Sequence, residues 1–169
     1  PQDRTLKIVD LATGTGDMLI SLLRERPNIA EAVGIDISTE MLKACRLKLH
    51  KRGLESRVEL MCADASGSPF PADTFNAATM AFGIRNTADA SATLREIHRI
   101  LKPGDTAMIL EFSLPACPVM RWFYLRYLRL AVPFIGSLIS GDRRAYRYLD
   151  QSIESFQQPA AFCCLMQKA

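Results

Sequence analysis

Ile8-Val9-Asp10-Leu11-Ala12-Thr13-Gly14-Thr15-Gly16-Asp17 is the stretch that decides how the rest of the chain is read. The apolar run from Leu6 to Leu11 has the length of a short buried strand. It ends in a turn with two glycines, and a helical pattern follows with Leu19, Leu22 and Leu23 on one face. Strand, Gly-x-Gly turn and helix make a nucleotide-binding corner. Gly14 and Gly16 allow a tight bend that a ligand can approach without meeting a Cβ. The unsatisfied N–H groups of the first helical turn then face that ligand. A plain strand–helix connection shows the same glycine pattern, so the corner has to be read with its neighbours.

The corner departs from the dinucleotide fingerprint. Gly-x-Gly-x-x-Gly needs glycine or alanine at position 19, where this chain has Leu19. Asp17 puts a carboxylate in the first helical turn, where it would repel a pyrophosphate. A ligand with a sulfonium, an ammonium and no phosphate is tolerated there. S-adenosylmethionine is such a ligand, so the corner points to methyl transfer before hydride transfer.

The 169 residues suffice for one domain with a real core. At 49% hydrophobic and 23% charged the chain is globular, and a net charge of +3 is too small to suggest nucleic acid as a partner. Five cysteines, Cys45, Cys62, Cys117, Cys163 and Cys164, lack C-x-x-C spacing. They argue against a disulfide framework and a zinc site and read as buried free thiols in a reducing compartment. The longest nearly apolar run, Leu130 to Ile139, is about half the ~20 residues of a membrane span. The chain starts at Pro1 and enters a strand at once, so sequence is expected to precede it.

Further along, Glu31 to Asp36 reads as a second strand. Asp36 lies 20 residues beyond Gly16, the spacing at which a carboxylate accepts the hydroxyls of a bound ribose. Ser38 caps the helix that runs to Arg52, with Met41, Leu42, Cys45 and Leu49 on its apolar face. Its other face, Lys43, Arg46, Lys48, Lys51 and Arg52, reads as solvated. Arg57 to Cys62 is a third strand and delivers Asp64 to the same sheet edge, either as acceptor for an adenine amine or as a loop-turn Asp. Thr74 to Phe82 is a fourth strand that opens into Phe82-Gly83-Ile84-Arg85-Asn86. The helix Ala88 to Leu101 follows, with Leu94, Ile97, His98 and Leu101 at helical spacing, and His98 reads as structural. Leu101 to Gly104 is a turn, and Asp105 to Phe112 a fifth strand with Met108, Ile109 and Leu110 in its buried middle. These elements predict an α/β fold with a mostly parallel, Rossmann-like sheet and helices on both faces.

The last third differs. Between Ser113 and Leu149 there are six arginines and one acid, Asp142, among aromatics and leucines. Residues 113–150 read as a cover over the site that meets a greasy substrate at an anionic membrane surface, or as a helix packed on the sheet, or as a subunit contact.

With these residues in view, the chain resembles the ubiquinone/menaquinone biosynthesis C-methyltransferase family, of the UbiE type. The markers are Asp10 to Asp17, Phe82 to Asn86, Arg99 to Gly104, Leu110-Glu111-Phe112-Ser113, and Tyr146 to Ile153. The resemblance implies a class I S-adenosyl-L-methionine-dependent fold and C-methylation of a prenylated quinol. The substrate would be demethylmenaquinol, a methoxy-benzoquinol precursor of ubiquinone, or both. It implies cofactor contacts at Thr15, Asp36, Asp64, Ala65 and Ala81, which join Asp10, Gly14, Gly16 and Ile37 from the same sheet edge. Arg85 and Asn86 are the catalytic candidates, with the arginine stabilising a developing phenolate. Tyr146 and Tyr148 are candidates for substrate contact, and no metal is implied. Family members carry an N-terminal helical segment and two more strands, so 1–169 is expected to be a single domain truncated at both ends. Cytoplasmic location follows, peripheral at the inner membrane face, or the mitochondrial matrix in a eukaryote. A homodimer or a quinone-synthesis complex stays open. The rival readings are a NAD(P)-dependent oxidoreductase and a non-catalytic cofactor-binding scaffold.

Overall fold

Five parallel strands form one sheet in the order β3-β2-β1-β4-β5. They are β1 (Leu6–Leu11), β2 (Ile29–Asp36), β3 (Val58–Cys62), β4 (Phe75–Ala81) and β5 (Leu101–Leu110). The computed structural model describes residues 4–131, 152, 156 and 159–169. Helices α1 (Asp17–Glu25), α2 (Thr39–Lys51) and α3 (Ala90–Ile100) link the strands, while β3 passes to β4 through a loop. The described residues fall into two compact units, one ending at Glu111 and the other running from Phe112 to Lys168.

The strand order reverses between β1 and β4. Right-handed crossovers then put α1 and α2 on one face and α3 on the other. The reversal opens a crevice at the carboxyl ends of β1 and β4, where open α/β sheets bind ligands. β1 registers Asp10 beside Gly34 of β2 and beside Thr79 of β4. Central strands with both faces covered read as nearly continuous apolar runs, and Ile8, Val9 and Leu11 are all buried. Leu19 and Leu23 of α1 close on Ile8, Ile29 and Ala32. Ile20 joins Cys45 and Leu49 of α2.

Several local expectations change. β5 starts at Leu101, and the expected turn is a register shift within the strand, with Gly104 at φ +80°. β5 is an outer strand among the described residues, and Met108 and Leu110 are nearly half exposed rather than buried. Met41 is likewise half exposed. His98 is exposed because α3 turns Thr93, Glu96, Ile97 and Ile100 inward. Of the five free thiols only Cys45 is buried. In the second unit, α4 (Pro118–Arg126) begins with proline in its first turn and runs on into a π-helical turn, Tyr127–Ala131. Helix α5 spans Pro159–Lys168. Tyr146, Tyr148 and most of the run from Leu130 to Ile139 lie outside the described residues.

Candidate active site

The glycine turn is held from below and from the side. Asp10 is fully buried under it, and its two oxygens accept hydrogen bonds from the Thr13 and Thr79 hydroxyls at 2.7 and 2.6 Å. Burial pushes its pKa up to about 6 against those hydrogen bonds. Gly16 has φ +80°, and a Cβ there would collide with the Cys45 sulfur. The glycine thus meets both a backbone and a packing demand. Lys48 reaches across from α2, with Nζ donating to Thr15 Oγ1 at 2.7 Å and to both Asp17 oxygens at 2.9 and 2.7 Å. Its hydrogen bond, with a second from Thr15, holds the Asp17 carboxyl below its usual range. Lys48 is therefore a fastener of the turn rather than part of a solvated run.

Asp36 ends β2 facing the turn. The Gly14 N–H donates to its Oδ2 at 2.8 Å and the Ser38 N–H to its Oδ1 at 2.9 Å. Ser38 also caps α2, its Oγ accepting from the Met41 N–H at 3.3 Å. Each Asp36 oxygen keeps acceptor capacity beyond its one backbone bond. Asp64 follows β3, and its Oδ1 accepts from the Ser66 N–H and hydroxyl, both at 2.8 Å. Those bonds lower its pKa.

These groups border a cleft of about 570 Å³, within the range of small-molecule sites. Gly14, Asp36, Ile37, Asp64, Ala65, Ala81 and Asn86 line it; Asp10, Thr15, Gly16 and Arg85 do not. Among the described residues the lining holds two carboxylates and no lysine or arginine. Ala12 and Phe82 both line it, with φ +52° and +57°, a left-handed conformation that side chains rarely adopt and that marks functional turns. A Cβ on Gly83 would lie 2.6 Å from that of Ala12, so glycine lets the β1 and β4 turns close on each other.

The Phe82–Asn86 turn departs most from expectation. The Arg85 side chain is buried and ion-paired with the equally buried Glu111. Its Nη1 also donates to Phe82 O at 3.0 Å, and Asn86 Nδ2 donates to the same oxygen at 3.3 Å. Asn86, not Arg85, is the polar group that the turn presents to the cleft. Sequence reasoning missed Glu111 as Arg85's partner because 26 residues separate them, although Glu111 stands within one of the quoted motifs.

Residues 1–169 match the model of the ubiE/COQ5 methyltransferase family. The chain belongs to that family. Among its relatives, demethylmenaquinone methyltransferase of Thermus thermophilus is 45% identical over 96% of this chain and 73% of its own length. Ubiquinone/menaquinone biosynthesis C-methyltransferase UbiE of Syntrophotalea carbinolica is 42% identical over 96% of this chain and 67% of its own. The chain thus spans about two thirds of the length of these family members. A Bacillus halodurans protein of solved structure superposes with TM-score 0.73 over 98% of this chain and 62% of its own. At 20% identity that likeness is one of fold. The family sets aside the oxidoreductase reading, and the acidic cleft agrees with it.

Proposed function

We propose that the chain transfers a methyl group from S-adenosylmethionine to a ring carbon of a prenylated quinol. The observation that carries this is an acidic, largely apolar cleft at the sheet's switch point in a ubiE/COQ5 family member. The residues fit the cofactor. In this reading Asp36, whose carboxylate is oriented by two backbone N–H groups, accepts both ribose hydroxyls. In this reading Asp64 accepts the adenine amine. Ile37, Met41, Ala65 and Phe82 supply apolar walls. The two carboxylates among the described lining residues favour a cation and disfavour a pyrophosphate. When bound, the cofactor supplies an electrophilic methyl on a sulfonium.

The chain's own work is then positioning and charge stabilisation. A quinol carbon becomes nucleophilic as its hydroxyl passes a proton to solvent water; after the methyl has moved from sulfur to carbon, the hydrogen that carbon carried leaves as a proton to water and the ring regains aromaticity. The Asn86 amide donates a hydrogen bond to the oxygen that gains charge. Arg85, paired with Glu111, holds the Phe82 carbonyl and so fixes the turn that carries Asn86. Tyr146 and Tyr148, which lie outside the described residues, are candidates for substrate contact by family resemblance only. Demethylmenaquinol and the methoxy-benzoquinol precursor are the substrate candidates, met at the inner face of a membrane. The test is incubation with isotopically labelled S-adenosylmethionine and each quinol, read by mass spectrometry. One labelled methyl on the ring is expected. Asn86→Ala should keep cofactor affinity and lose turnover. Cofactor binding with no methyl on either quinol would favour the non-catalytic scaffold.

A further inference from the structure

Past β3 the chain runs from Ala63 to Thr74 without helix or strand. The first residues of this loop, Ala63, Asp64 and Ala65, line the cleft. A tight turn follows them. Ser66 donates twice to Asp64 Oδ1, and the Gly67 N–H donates to the Asp64 carbonyl at 3.3 Å. Ser66-Gly67-Ser68 has little conformational preference of its own. The turn is gripped from α3 instead. The buried Glu96 accepts from the Ser68 N–H at 2.9 Å and from the Ser68 hydroxyl, both on Oε1. Arg99, one turn further along α3, donates from Nε and Nη2 to the two Glu96 oxygens at 2.7 and 2.6 Å. The same Nη2 reaches the Phe70 carbonyl at 2.7 Å. Phe70 in turn stands edge-on to the buried Phe75 ring, with centroids 5.0 Å apart.

We propose that Glu96 and Arg99 are positioning residues for adenine recognition, clamping the loop that brings Asp64 and Ala65 to the cleft. Neither lines the cleft, so both act through the loop. The Arg99 hydrogen bonds hold the Glu96 carboxyl below its usual range, and the ionised group accepts on both oxygens. The planar fork of Arg99 serves that carboxylate and a loop carbonyl at once, which a lysine cannot do. A loop ordered before the ligand arrives loses little conformational freedom on binding. Ser66 occupies Asp64 Oδ1, which leaves Oδ2 for the adenine amine. A loosened loop therefore forfeits that one hydrogen bond first. A merely structural role for the pair would weaken every ligand of the cleft alike. The inference rests on the cofactor reading of the cleft given above.

The test is calorimetry of the full chain with S-adenosylhomocysteine and with its purine analogue, in which hydrogen replaces the exocyclic amine. The wild type should bind the adenine ligand about tenfold tighter than the analogue. In Glu96→Gln, whose amide accepts on one oxygen only, that advantage should fall to about threefold or less. Arg99→Lys, which cannot span Glu96 and Phe70, should do the same. Asp64→Ala should abolish the advantage, and Glu96→Gln added to Asp64→Ala should change nothing further. Circular dichroism checks that each variant is folded. Where Glu96→Gln fails to fold, Arg99→Lys carries the test, its side chain being 40% exposed. No advantage in the wild type, an undiminished one in the folded variants, or losses at Glu96 and Asp64 that add, overturns the clamp. A wild-type chain that binds neither ligand overturns it together with the proposed function. Adenine selection that collapses in the variants, in a chain that methylates no quinol, refutes the proposed function and leaves the clamp standing.

Discussion

Asp10 offers the sharpest test of how the glycine turn is held. Its carboxyl is sealed beneath the turn between the Thr13 and Thr79 hydroxyls. Burial raises its pKa from 3.8 to about 6, the two hydrogen bonds pull it down, and the Asp36 charge adds to the rise. The folded protein therefore holds this proton more tightly than the unfolded chain between pH 4 and 6. The stability it contributes is fully present below about pH 4 and is lost as pH rises through 6. The shift corresponds to about 3 kcal/mol lost by neutral pH. Asp10→Asn removes the ionisation and keeps the shape. The amide accepts from one threonine hydroxyl and donates to the other, whose rotor is free to turn. Urea melts of both proteins followed by circular dichroism at pH 4, 5, 6 and 7 isolate the effect. Asp17, Asp64 and Asp105 titrate in the opposite sense, with lowered pKa values, but cancel in the difference. Relative to wild type, the variant should gain about 3 kcal/mol between pH 4 and 7, or several degrees in Tm. A difference that does not change with pH would refute the buried, desolvated carboxylate.

Three further outcomes follow from the site. Gly83→Ala forces the Ala12 and Phe82 turns apart and should cost about 1–3 kcal/mol in a thermal melt. It should also weaken cofactor binding in calorimetry. Lys48→Met frees the Thr15–Asp17 turn; because the pair is partly exposed, stability should fall by less than about 1 kcal/mol. Its effect should instead show as a cofactor affinity that falls more steeply with added salt, because Asp17 loses its counter-charge. Glu111→Gln removes the carboxylate that Arg85 pairs with in a buried setting and should cost about 3 kcal/mol in urea melts. The double variant Arg85→Met/Glu111→Met should be less damaging than either single change.

What the sequence revealed was local or obeyed a fixed spacing. The apolar run, glycine turn and helix of residues 6–25 formed as expected, and the Gly16-to-Asp36 interval put the carboxylate at the turn. Ser38 caps α2 because its hydroxyl competes for a nearby N–H, a one-turn effect visible in sequence. Long-range pairing was not legible. Nothing in the local pattern around Lys48 says that it reaches Asp17, or that Arg85 meets Glu111. Strand position in the sheet was equally hidden. Met108 and Leu110 have the composition of a buried strand, but β5 is an outer one among the described residues. His98 sat at a helical spacing from Leu94, yet the buried Glu96 turned the packed face away from it. Glu96 accepts from the Ser68 N–H at 2.9 Å and from Arg99, so a loop packs where the periodicity placed none.

The most direct test of the central claim is calorimetric titration of S-adenosylmethionine into the wild-type chain and into Asp36→Ala. Two hydrogen bonds to an ionised acceptor are at stake, each worth about 1.5–3 kcal/mol. Saturable wild-type binding and a loss of at least about a hundredfold in Asp36→Ala are expected. Undiminished affinity in the variant, or a wild-type chain that binds NAD in preference, would contradict it.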